Sequence, residues 1–133
     1  MINGTLELTE YENDEVKKIN THLFTGLKSL TSVSFPACTS IGSGAFMSCT
    51  SLADVSFPVC TSIGASAFRN CSYLTSLYFT DSSVPSIASN SFYNISSTAT
   101  FYVASSMVNA FKSATYWSAF ASRIVAYTES LFL

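Results

Sequence analysis

Charge is what this chain has least of: only 11% of its 133 residues are Asp, Glu, Lys or Arg, with six basic residues, one histidine and a net charge of -2. About a quarter is usual for a globular domain. Six basic residues give no electrostatic footprint for nucleic acid. No run of 18 apolar residues is present, so no membrane-spanning helix is expected. Cysteine never occurs as Cys-x-x-Cys, which removes the usual signature of a structural zinc site. Met1-Ile-Asn-Gly has no basic stretch followed by an apolar one, so a signal peptide is not expected at this start.

Ser and Thr fill the gap left by charge, at roughly 29% of the chain. Leu, Ile, Val and Phe together reach about 27%, enough to bury a core and to disfavour disorder. The length predicts a single domain over residues 1–133. Eight of the fourteen charged residues fall in the first 28 positions, and residues 29–53 carry none.

The chain repeats itself with period 22. LTSVSFPACTSIGSGAFMSCTS begins at Leu30, LADVSFPVCTSIGASAFRNCSY at Leu52 and LTSLYF at Leu74. Stepping back 22 residues lands Leu8, Tyr11, Val16, Ile19, Phe24 and Leu27 on the same template; stepping forward requires two extra residues within 80–84, after which Ile87, Phe92, Ile95, Phe101 and Val103 fall into register. About four coils are expected, the outer ones atypical. A terminal repeat must face water on one flank, which accounts for the charged first unit.

Within a unit, Val33 and Phe35 alternate with Ser32 and Ser34, the period of a half-buried strand. Pro36 has no N–H for a ladder and ends it. Residues 39–41 suit a second short strand, Gly42 a corner, and residues 45–49 one helical or 3₁₀ turn carrying Phe46 inward. Each coil then makes three sides of a flattened tube. Past the repeats, Met107, Val108, Phe111, Ala114, Trp117, Phe120, Ala121 and Ile124 recur at helical steps. One or two helices over residues 106–122 and a strand at 124–127 are expected to cover the open end. The domain thus divides into a degenerate charged cap repeat at 1–28, repeats at 29–103 and a helical cap at 104–133.

The unit LxxVxFPxCTSIGxxAFxxCxx is similar to the BspA-like leucine-rich repeat family over about residues 8 to 103. The resemblance implies an α+β repeat protein: a short right-handed solenoid with a parallel sheet on one face, short helical turns opposite and a C-terminal cap. For function it implies a non-enzymatic interaction module, adhesion-like and secreted or on the surface of bacteria or protists. The alternative is a purely structural segment of a phage tail or larger surface protein.

Cys38, Cys49, Cys60 and Cys71 stand where other units have Val16, Leu27 and Ile95, so they are expected as buried free thiols rather than ligands or bridges. His22 falls on an exposed turn and no nucleophile–base arrangement is signalled. No catalytic residue, metal or other cofactor is expected. Two outward columns remain: Glu10, Ser32, Asp54, Ser76 and Thr100 beside Glu12, Ser34, Ser56, Tyr78 and Tyr102. An exposed tyrosine pair beside acidic and hydroxyl groups suits a protein or glycan ligand, with Asp54, Tyr78 and Tyr102 as the candidate binding residues. Four coils span only about 20 Å, so a weak or multivalent contact is expected.

Overall fold

A computed structural model describes residues 10–81 and 83–128. Leu8, expected in the first unit, lies outside them.

The chain winds as a right-handed solenoid whose coils stack in parallel. One side is a six-stranded parallel sheet in the order β1 (Glu10–Glu12), β3 (Ser32–Ser34), β5 (Asp54–Ser56), β7 (Ser76–Phe79), β8 (Thr100–Val103) and β9 (Ile124–Ala126). A second side is a three-stranded sheet of β2 (Lys18–Ile19), β4 (Ser40–Ile41) and β6 (Ser62–Ile63). Glu10 pairs with Ser32, Ser32 with Asp54 and Asp54 with Ser76, a register of 22; Ser76 then pairs with Thr100, which places the two extra residues between β7 and β8. The main sheet therefore has six rungs: the four expected coils, the charged first unit among them, give β1, β3, β5 and β7, and β8 and the strand after the cap, β9, add two more.

The corners depend on close approach. Gly42 and Gly64 each donate to the preceding coil, to the Ile19 and Ile41 carbonyls at 2.7 and 2.8 Å. A Cβ on Gly64 would lie 2.5 Å from the Ser43 amide nitrogen. Only the absence of a side chain lets the coils touch there.

The third side carries i+3 to i hydrogen bonds of the 3₁₀ type but forms no continuous helix. Its N–H groups alternate in direction. Ala45, Met47 and Cys49 donate within the coil to Gly42, Gly44 and Phe46, whereas Gly44, Phe46 and Ser48 donate across to Ala65, Ala67 and Arg69. Left-handed residues make the alternation possible: Gly44 (φ 62°) and Ser48 (φ 62°) correspond to Ser66 and Asn70 one coil on. Consecutive turns, each bonded to the next coil, replace the short helix.

The core is a set of ladders. Phe24, Phe46, Phe68 and Phe92 stack with ring centroids 5.2, 5.2 and 5.5 Å apart. Tyr11, Phe35 and Phe57 form a second column at 5.4 and 5.5 Å. Hydroxyls bind the outside: Thr61 Oγ1 donates to the Thr39 carbonyl and Thr39 Oγ1 to that of Lys17. Ser91 is buried at the position of Ala45 and Ala67, accepting from the Ala88 N–H and donating to the Gly64 carbonyl, both at 2.9 Å.

The cap begins with a 3₁₀ turn at Ser105–Met107, continues as helix α1 (Val108–Ser113) and a kinked 3₁₀ segment at Trp117–Arg123, and returns to the sheet in β9. Trp117 is the keystone. It packs edge-on against Phe79, Phe101 and Phe111, and its indole N–H donates to the Pro85 carbonyl at 2.8 Å.

Candidate binding surface on the main sheet

Residues that alternate with the buried ladders face outward from the main sheet. Registration puts Ser56 beside Tyr78 and Tyr78 beside Tyr102, while Asp54 sits beside Ser76 in the neighbouring column. Asp54, Tyr78 and Tyr102 are thus brought to one region, as their spacing predicts.

Strand spacing of about 4.8 Å forces like side chains on neighbouring rungs into contact. The Tyr78 and Tyr102 rings stack with centroids 4.8 Å apart and an interplanar angle of 12°. A third ring completes the group. Tyr127 lies perpendicular to both, 5.8 Å from Tyr78 and 6.4 Å from Tyr102, distances that place it beside the stack rather than on top of it. Its position follows from β9, because Tyr102 pairs with Val125 and the Tyr127 N–H donates to the Val103 carbonyl. Treating residues 124–127 as a sixth rung next to Tyr102 is the step that finds it from sequence.

One face of Tyr78 is covered by Tyr102, and the other looks toward the small side chain of Ser56. There the surface holds a shallow concavity of about 480 Å³ lined by Ser56, Tyr78, Thr80 and Tyr127. Partial burial raises the Tyr78 phenol above its ordinary value, opposed by a hydrogen bond to Ser76 and reinforced by Tyr102, Asp54 and Tyr127. The phenol is neutral at physiological pH, and Asp54 is near enough for its charge to act on it. Asp54 itself is exposed.

A second hollow, of about 360 Å³, lies at the other end of the face between Glu10, Tyr11, Glu12 and Ser32 to Ser34. In the described residues the outward columns hold three carboxylates, on Glu10, Glu12 and Asp54, and no cation. The face is acidic at one end and aromatic at the other.

The remaining chemistry-bearing side chains are elsewhere. The four cysteines are free and buried. Cys49 and Cys71 donate to the Phe24 and Phe46 carbonyls, and Cys38 and Cys60 to those of Ser40 and Ser62. Burial pushes the Cys49 thiol up to about 11 and the Cys60 thiol up to about 12, the reverse of what a nucleophile needs. His22 is exposed on the turn side, near Thr25.

Among known families, the model described as BspA type leucine rich repeat region matches residues 4–122 in six copies. The match extends the resemblance beyond residues 8 to 103 and ends just before β9. No curated protein matches the chain.

Proposed function

Because the chain belongs to the BspA-type leucine-rich repeat family, we propose that it is a non-enzymatic interaction module that holds a protein or glycan ligand against its main sheet. Family membership supports an interaction or adhesion role in general. The cluster of Tyr78, Tyr102 and Tyr127 on a face otherwise built of small hydroxyl and acidic side chains carries the specific reading. Tyrosines supply contact area with little rotamer entropy to lose, and their hydroxyls can donate or accept at the same time. Asp54 adds the charge that orients a ligand.

The setting that fits this role is an extracellular or cell-surface one. Among the described residues no helix is long and apolar enough to cross a membrane. Six rungs at the usual spacing span about 24 Å, so one face of one copy suits a small epitope or a contact repeated along a larger assembly.

Screening the purified chain on arrays of glycans and secreted proteins tests the reading. A ligand bound by the wild type is expected to lose about tenfold or more in affinity with Tyr78→Ala or Tyr102→Ala, with only a small fall in melting temperature. If no ligand binds, or if both variants bind it as well as the wild type, the sheet face is not a binding surface.

A further inference from the structure

The tyrosine ladder stops one rung short. Tyr102 and Tyr78 occupy successive rungs, and the next position in the same column is Ser56, too small to cover the exposed side of the Tyr78 ring. The concavity lies at that vacancy, with Tyr127 and Thr80 as its lateral walls. Two residues earlier on the same strand, and so on the same face, stands the Asp54 carboxylate.

The notch therefore offers one flat aromatic face, with the Asp54 carboxylate next to its lining, among outward columns whose described charges are all negative. From this we infer that the notch over Ser56 takes the guanidinium of an arginine on a protein partner, stacked on Tyr78 and paired with Asp54. The planar cation matches both elements together. Its face lies on the ring, where the quadrupole attracts positive charge, and its N–H fork meets the carboxylate. Glu10 and Glu12, further along the face, attract the rest of a basic extended segment running along the rungs. A sugar ring would also stack on Tyr78 and donate hydroxyls to Asp54, but a neutral ligand gains nothing from the field of three carboxylates with no cation in the same columns. Arg69 and Arg123 do not satisfy the notch from within: Arg69 lies over Tyr93, and Arg123 lies over Phe120 and donates to the Ser96 carbonyl.

This inference rests on the sheet-face reading above and adds the class of partner. It is tested by titrating isotope-labelled protein with a short peptide alternating arginine and serine, the same peptide with lysine, and chitotetraose, while following backbone amides by NMR. The arginine peptide is expected to shift Ser56, Tyr78, Thr80 and Tyr127, to bind several-fold tighter than the lysine peptide and to weaken as salt is raised. Asp54→Asn, and Ser56→Tyr, which fills the vacancy with a third ring, should each lower its affinity at least about tenfold. Both changes face outward, and both variants should melt with the wild type. Equal binding of the two peptides, shifts confined to Glu12, Asp14 and Glu15, or no response to the arginine peptide would overturn the inference. Chitotetraose moving the same four amides where the peptide does not would also overturn it while leaving the sheet face as a binding surface. The broader reading falls only if the array screen is empty, or if Tyr78→Ala and Tyr102→Ala both bind its ligand as well as the wild type.

Discussion

At Gly64 a single added carbon would meet the backbone of the preceding coil 2.5 Å away, and backbone cannot step aside as a flexible side chain can. Gly26 is the contrast: its φ is 77°, but nothing lies within 4 Å of the added Cβ. Gly64→Ala should therefore cost about 3 kcal/mol by forcing two coils apart. Gly26→Ala should cost only about 1 to 2 kcal/mol for the left-handed conformation. Urea denaturation of the two variants checks the order. The cysteines give a residue-scale prediction of a different kind. An unfolded thiol ionises near 9.0, whereas burial holds Cys49 and Cys60 protonated to about 11 and 12. Their contribution to stability is fully present below pH 9 and is lost as pH rises through 11 to 12. Melting temperature should fall across that range, less steeply in Cys60→Val, the residue type found at the equivalent Val16. At pH 8 a thiol reagent should label all four cysteines only after denaturation, and rapid labelling of the native protein would contradict the burial.

Among the elements, the cap depends most on one side chain. Trp117 is 1% exposed and closes both aromatic columns of the tube at once, touching Phe79 and Phe92. Trp117→Ala should cost about 3 to 5 kcal/mol. Trp117→Phe keeps part of the packing but leaves the buried Pro85 carbonyl without its donor, for about 1 to 3 kcal/mol. Thermal unfolding that ranks the two otherwise would mean that the cap is not anchored by this indole. How legible each element was follows from its chemistry. Strands β3, β5 and β7 announce themselves because Val, Leu and Phe alternate with Ser, Asp and Tyr; β9 was readable from Ile124 onward. The turn side was not, since Gly44 and Ser66 share one left-handed position and Ser48 and Asn70 another, and helix and serial turns both carry Phe46 inward. The Tyr78–Tyr102 pair follows directly from the repeat register. Tyr127 does not, because it belongs to no repeat position and reaches the pair only once β9 has joined the sheet.

For the molecule as a whole, the hydroxyl-rich composition and the small number of charges are one property of the stack. Among the described residues coil-to-coil bonding is carried by backbone and by Thr and Ser hydroxyls rather than by ion pairs, and the carboxylates on the main sheet are left for solvent or a partner. The same stacking has a mechanical side. Hydrogen bonds between rungs point along the tube axis, so a force drawing the two ends apart loads them in tension, one rung at a time, rather than shearing many together. Each coil that peels away releases roughly 70 Å of extended chain, from 22 residues at about 3.4 Å each less one rung spacing. Pulled from its ends, the solenoid should yield at low force in a staircase of such lengths, a compliant spring whose extension counts its own coils.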